Sequence, residues 1–255
     1  MICKISKEVI DLNILVTNDD GISSELLLQL VQIASGFGTV YVAAPDSQCS
    51  AMSQHLTINA CLTASEREFP YAQHAWSISG TPADCVKLSV ASLLPVRPDY
   101  VFSGINRGCN TGFDASYSGT IGAAKEALMN GIPAFAFSVD SHLGPEIAAA
   151  AVDRFLPPII SELLPLPIGR NALWNVNLPA LPADEIKGIQ RNVRLAPINL
   201  YKNGYTLLSE SDGQKVFLHH SAHISAEEAP ENTDVFYLLR GWITIGQVTT
   251  DVLYP

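Results

Sequence analysis

Two adjacent carboxylates, Asp19 and Asp20, stand just after a short β-branched run at residues 14–17. At the end of a buried strand such a pair repels itself unless a cation lies between. Hard divalent cations take oxygen ligands: carboxylates, amide carbonyls, hydroxyls and water. Ser50 and Asn106, each placed after a later apolar run, supply a hydroxyl and an amide. Asp19, Asp20, Ser50 and Asn106 are therefore the predicted ligands of one Mg²⁺ or Mn²⁺. So few protein ligands leave positions for water and a phosphate oxygen. An Asp-Asp pair alone is more often a turn and a helix cap. The convergence of the other two side chains favours an ion.

Residues 117–124 read YSGTIGAA. A Ser-Gly-Thr loop that opens a helix offers backbone N–H groups, two hydroxyls and the positive end of the helix dipole. Ser118, Gly119 and Thr120 are the predicted phosphate contacts. Gly119 and Gly122 would allow close backbone approach. The same residues also suit an ordinary Ser/Thr cap with glycines for helix packing, and the loop gains its meaning from the carboxylates beside it.

Other polar groups have simpler readings. In GTPAD at residues 80–84, Thr81 suits a helix cap, Pro82 the first helical position and Asp84 the positive dipole end. The histidines are His55, His74, His142, His219, His220 and His223, and none forms an H-E-x-x-H motif. His55 shares the loop of Ser50 and could approach a substrate, although a lone loop histidine is more often solvated. No G-x-S-x-G elbow or phosphate-binding G-x-x-x-x-G-K-[ST] loop occurs, which leaves Ser-His-Asp hydrolysis and nucleoside-triphosphate motors unsupported.

The elements that must position these residues alternate. Residues 14–17 and 40–44 read as buried parallel strands around a helix at 25–35 that ends at Gly36 and Gly38. Further strands are predicted at 56–63, 75–79, 100–103 and 134–138, and helices at 85–94, 121–129 and 147–164. Pro157 and Pro158 should kink or split the last of these. The alternation implies a three-layer α/β domain with a mostly parallel sheet over residues 13–180. Ligands of such sheets bind at the carboxyl ends of the strands, which puts all the candidate ligands on one edge. After residue 181, short alternating runs at 189–195, 205–209, 215–219 and 242–248 read as antiparallel hairpins that extend or decorate the sheet. Residues 1–180 are thus the expected catalytic core, and 181–255 a β-rich extension of the same domain. Phe236, Tyr237 and Trp242, read as lying on exposed hairpins, suggest a self-association surface or serve the core.

Composition narrows the class. The 255 residues are 47% hydrophobic, enough for one sizeable core. No stretch approaches the ~20 apolar residues of a spanning helix. The first residues mix both charge signs, so a signal peptide is not expected and a cytoplasmic location is. Five cysteines with no C-x-x-C fit reduced thiols. The formal net charge of −10 disfavours nonspecific binding to DNA, RNA or anionic lipid. An enzyme of that charge acting on phosphate esters needs a local cation to offset the repulsion.

The order of motifs resembles one family. ILVTNDDGI at 14–22, AAPDSQCSAMSQHLT at 43–57, SGTPADCVKL at 79–88, PDYVFSGINRGCNTGFDASYSGTIGAAKEALMNGIP at 98–133 and NVNLP at 175–179 are similar to successive signatures of the SurE (survival protein E) phosphatases. The resemblance implies a Rossmann-like αβα domain with a C-terminal β extension. It also implies homodimers or homotetramers built partly by exchanged C-terminal elements. The implied activity is a 5′-nucleotidase acting on nucleoside monophosphates with one divalent cation per subunit, with 3′-nucleotidase or exopolyphosphatase activity as further reactions. The family's metal ligands match Asp19, Asp20, Ser50 and Asn106, and its phosphate contacts match Asn106, Ser118, Gly119 and Thr120. Two loops depart from the pattern. The family's A-P-G segment is here Ser23, Ser24, Glu25 and Leu26. The loop that follows the serine ligand, usually close to G-A-G-H-S, is here Ala51, Met52, Ser53, Gln54 and His55. The family's histidine thus falls at Gln54.

The working mechanism is metal-assisted hydrolysis. Asp19 orients or deprotonates the attacking water, Asp20 is mainly a ligand, and Asn106 holds phosphate. Direct attack by an Asp, forming an aspartyl phosphate, is the alternative. Two rival readings belong to other classes: a non-catalytic nucleotide- and Mg²⁺-binding module, and a signalling receiver domain. The receiver needs a phosphate-accepting Asp at a later central strand end, where this chain has Ser103, Gly104, Ile105 and Asn106.

Overall fold

The computed structural model describes residues 12–250. Cys3 and the charge pattern of the first residues lie outside them. In chain order the elements are β1 (Leu12–Thr17), α1 (Glu25–Ala34), β2 (Gly38–Pro45), β3 (Ala64–Arg67), β4 (His74–Ile78), α2 (Pro82–Leu88), β5 (Tyr100–Arg107), α3 (Gly119–Met129), β6 (Ala134–Val139), α4 (Pro145–Leu163), β7 (Ala172–Leu178), β8 (Ile189–Val193), β9 (Tyr201–Ser211), β10 (Gln214–His223), α5 (Asp234–Leu238) and β11 (Ile243–Thr249).

Nine strands form one sheet in the order β3-β4-β2-β1-β5-β6-β7-β11-β8. The run from β4 to β7 is parallel, and β3 and β11 pair antiparallel to their inner neighbours. β1 lies between β2 and β5, so the strand order reverses there and opens a crevice at the carboxyl ends. Alternate residues of β1 face opposite layers. Ile14 and Val16 pack with Leu27, Leu30 and Leu156 of α1 and α4, whereas Leu15 packs with Val86 and Ile121 on the side of α2 and α3. Phe102, Phe135 and Phe137 fill the first layer with ring centroids 5.1–5.7 Å apart. This is the expected three-layer α/β architecture.

Several local expectations need correction. Residues 56–63 form no strand; the edge strand is β3. Their backbone is committed elsewhere, since Thr57 donates through N–H and hydroxyl to Asp84, and Ile58 is 76% exposed with no layer to cover it. β5 does not stop at Ser103 but runs on through Asn106, shifting register against β6 between those residues. Gly104 permits this, because at φ +135° a Cβ would lie 2.4 Å from the Phe137 carbonyl oxygen. Pro157 and Pro158 do not split α4. The carbonyls that lose donors belong to Asp153 and Arg154, both on the exposed side, while Val152, Leu156, Ile159 and Ile160 hold the other side to the sheet.

β7 was not predicted as a strand, because Asn175 and Asn177 interrupt its apolar pattern; both are buried. In the last third, β8 and β11 pair parallel to each other within the main sheet, and only β9 and β10 form an antiparallel hairpin, as a separate two-stranded sheet. Phe236 and Tyr237 are half-buried on α5, not on a hairpin. Thr233 caps that short helix by accepting from the Phe236 N–H. No described helix is long and apolar enough to cross a membrane.

Candidate active site

The turn after β1 is closed by Asn18, whose side chain both accepts from the Gly21 N–H (3.2 Å) and donates to the Gly21 carbonyl (3.0 Å). That turn presents Asp19 and Asp20 in different directions. Asp19, only 2% exposed, faces α3: its Oδ1 accepts from the Thr120 hydroxyl (2.8 Å) and its Oδ2 from the Thr120 N–H (3.2 Å). Asp20 faces β5, its Oδ2 accepting from the Arg107 N–H at 3.2 Å. The loop after β2 is held against the pair by a bond from the Cys49 N–H to the Asp19 carbonyl (2.7 Å), which brings Ser50 alongside. Asn106 donates through Nδ2 to the Gly108 carbonyl at 2.7 Å, so its Oδ1 is the atom left to act as a ligand.

Burial, followed by the neighbouring charge of Asp20, pushes the Asp19 carboxyl up to about 6 against the opposing Thr120 hydrogen bonds. Burial also raises Asp20, against the opposing Arg107 N–H and guanidinium. The carboxylates of Asp19 and Asp20, the Asn106 amide oxygen and the Ser50 hydroxyl are all hard oxygen donors. That set fits a divalent cation of the Mg²⁺ or Mn²⁺ class.

Ser118 caps α3 by accepting from the Ile121 N–H (3.1 Å). Gly119 and Gly122 do allow close approach, but by the protein's own chain. A Cβ at Gly119 would lie 2.9 Å from the Asp19 Cβ, and one at Gly122 would lie 2.0 Å from the Ser53 carbonyl oxygen. Thr120 has turned its hydroxyl to Asp19, so it reaches an anion only through that carboxylate's neighbourhood. Asp19, Ser50, Asn106 and Ser118 line one cleft of about 670 Å³, and Tyr201 and Tyr205 of β9 line it from the other side.

The family described as "Survival protein SurE" matches residues 14–198, more than half of the chain, including Asp19, Asp20, Ser50, Asn106 and Ser118. The chain belongs to the SurE family. A relative named 5′-nucleotidase SurE from Desulfatibacillum aliphaticivorans is 41% identical over 179 residues, covering 70% of each chain. Another of the same name from Clostridium botulinum (strain Loch Maree / Type A3) is 33% identical over 241 residues, 94% of each. The crystal structure of the SurE protein from Aquifex aeolicus aligns with a TM-score of 0.78 at 30% identity, covering 94% of each chain.

Within the SurE pattern, the divergent loop after Ser50 shows what its substitutions do. Ala51 and Ser53, standing where the family pattern carries glycine, adopt φ +58° and +52°. Gln54, at the histidine position, donates to Glu126 of α3 at 3.0 Å. His55 is exposed and its carbonyl accepts from Thr81; its ring is not part of the cleft wall. Thr81 is the cap expected of it, and Asp84 makes the cap reciprocal, at 3.0 and 3.1 Å.

Sequence reasoning missed the groups that bring the hairpin to the cleft. Asp114 accepts from the Leu200 N–H (2.6 Å) and the Tyr201 N–H (3.3 Å), and the Tyr201 hydroxyl accepts from the Cys109 N–H (3.1 Å). Asp234 accepts from the N–H groups of Gly112 and Ala196, both at 2.8 Å. Asn110, bonded to Asn175, Asn177 and Ser138, fixes the loop after β5. Also missed was a cluster of Asp140, His142 and His223, whose ligand atoms lie within 4.8 Å of one another. The D-x-H spacing of its first two members was a signal, but the third arrives from β10, far along the chain.

Proposed function

We propose that the protein is a divalent-metal-dependent phosphomonoesterase that hydrolyses nucleoside 5′-monophosphates to nucleoside and phosphate. One observation carries this reading: a buried Asp19 and a half-buried Asp20 share their strand edge with the amide of Asn106 and the capped amino end of α3. The names of the SurE relatives supply the substrate class. Asp19, Asp20, Ser50 and Asn106 would hold the cation. When bound, it would neutralise charge developing on the phosphoryl oxygens. The Ser118 hydroxyl and the helix amino end at Gly119 are offered to the remaining oxygens, with Asn106 at the same edge, while Thr120 spends both its N–H and its hydroxyl on Asp19. Asp19 takes the proton of an attacking water as the P–O bond to the ribose breaks, and the departing ribose oxygen takes a proton from solvent. Each carboxylate oxygen of Asp19 keeps a second lone pair beyond those given to Thr120, so one can face the cation and the other the water. Thr120 fixes the orientation of that carboxylate. Nucleoside 3′-monophosphates and polyphosphate present the same terminal phosphoryl group and are proposed as secondary substrates.

The segment 181–255 is proposed to mediate a homodimer or homotetramer. The support is the β9–β10 hairpin, which exposes Tyr205, Leu207, Leu208, Val216, Phe217 and Leu218. Phosphate release from AMP with Mn²⁺, with and without chelator, tests the catalytic reading. Metal-dependent release is expected. Turnover that survives chelation overturns the role of the cation, and tight AMP binding without release overturns the hydrolase.

A further inference from the structure

Outside the candidate active site, one cluster mixes nitrogen and oxygen ligands. Asp140 follows β6 and is 7% exposed. Its Oδ1 lies 2.9 Å from His142 Nδ1, and its Oδ2 lies 3.5 Å from His223 Nε2. The two imidazoles meet edge to face, with ring centroids 5.4 Å apart and planes at 89°. Among the described ion pairs Asp140 has no Lys or Arg partner, only these two rings.

We propose that Asp140, His142 and His223 form a second cation site, suited to Zn²⁺, that fastens the β9–β10 hairpin to the core. Two imidazoles and a carboxylate are a ligand set that zinc takes, with a fourth position left for water. Around a tetrahedral zinc with bonds of about 2.0–2.1 Å, ligand atoms sit roughly 3.3 Å apart. The two carboxylate–imidazole separations bracket that spacing, and all three ligand atoms fall within 4.8 Å. His142 is held to Asp140 through both its ring and its N–H, and its side chain, 56% exposed, leaves the fourth position open to solvent. The site shares no residue with the all-oxygen set at Asp19 and Asp20, and its nitrogen content favours a borderline metal over Mg²⁺.

Its position gives it a consequence. A two-stranded hairpin is marginal in water by itself, and β9 and β10 are exposed along most of their length. The hairpin is anchored at its base, where His223 pairs with Tyr201 in register and their rings lie 4.9 Å apart. Tyr201, Asn203, Tyr205, His219 and Ser221 then line the cleft. A cation joining His223 to Asp140 and His142 therefore fixes the wall of the cleft through its root, and stabilises whichever state holds the ligands together.

The test is metal binding, and it stands whether or not AMP is a substrate. Chelated full-length protein is titrated with Zn²⁺ by calorimetry and with Co²⁺ by visible absorption. Wild type, His142→Ala, His223→Gln and Asp20→Asn are compared, with circular dichroism to establish folding. Wild type and Asp20→Asn are expected to bind Zn²⁺ alike, to show the intense cobalt bands of four-coordinate geometry, and to gain Tm on adding Zn²⁺. Each histidine variant is expected to lose at least tenfold in Zn²⁺ affinity, together with the bands and the Tm gain. Zinc should also slow proteolysis at Asp212 and Gly213, the hairpin tip, in the first pair only. The proposal is overturned if either histidine variant that folds keeps wild-type affinity, if only Asp20→Asn loses binding, or if wild type binds no Zn²⁺ beyond the oxygen site.

Discussion

At the scale of single residues, the environment of Asp19 makes a prediction with a sign. Its carboxyl is raised to about 6 in the folded chain, chiefly by burial. The protonated form is therefore favoured by folding. The stability this group adds is complete below the unfolded value near 4 and is lost as pH rises through about 6. In metal-free protein, Asp19→Asn should gain relative to wild type between pH 4 and pH 8 by on the order of 2 kcal/mol. Denaturant unfolding of both proteins across that range measures it; a difference that is flat with pH contradicts the buried, proton-hungry Asp19. The same variant should lose at least ~100-fold in phosphate release, the usual scale for a missing general base. The shared edge of Asp19, Asp20 and Asn106 was legible because the pair follows β1 and Asn106 lies at the end of its neighbour β5, where one rule of parallel sheets applies. Asp114, Asp234 and the Asp140 cluster were not, because their partners lie on elements distant in sequence and no local spacing records such pairing.

At the scale of elements, the loop that carries Ser50 is held between two glycine-dependent positions with opposite consequences. Ala51 pays for a left-handed backbone at φ +58°, a conformation that disfavours any residue with a Cβ by roughly 1–2 kcal/mol. Ala51→Gly should therefore raise stability, by about 0.5–1 kcal/mol once the extra freedom of the unfolded glycine is subtracted. Gly122→Ala should do the reverse although alanine is the better helix former. Its Cβ would stand 2.0 Å from the Ser53 carbonyl oxygen, so the loop must move. A cost of roughly 1–3 kcal/mol is expected, together with weaker Mn²⁺ binding because Ser50 moves too. Thermal unfolding and metal titration of the two variants separate the cases, and a Gly122→Ala protein of wild-type stability and affinity would show that the loop yields freely. The helices and parallel strands were readable from their periodicity, since each buries one stripe or both faces. The stretch 56–63 misled because its alternation has no sheet to bury against, and β7 was missed because its two asparagines serve Asn110 rather than the apolar layer.

At the scale of the molecule, the β9–β10 hairpin joins the cleft to the outside. Residues two apart share a face of a strand, so Leu207 continues the face of Tyr205, and Phe217 that of His219. Leu207 and Phe217 are also cross-strand partners. Tyr205 and His219 line the cleft; Leu207 and Phe217 carry the same face out toward the tip, where both are about half exposed. An apolar face that extends beyond its own core is well matched to a second copy of the chain, placed so that association bears on the wall of each active site. Phe217→Asp should then shift the protein toward monomer in light scattering, while Tm at low concentration stays within a few degrees, because an exposed side chain leaves little packing to lose. If association orders the hairpin, the KM for AMP should rise in the monomeric variant with kcat less affected. A Phe217→Asp protein that associates as wild type does would remove this face from the interface and leave the hairpin as a wall of the cleft alone.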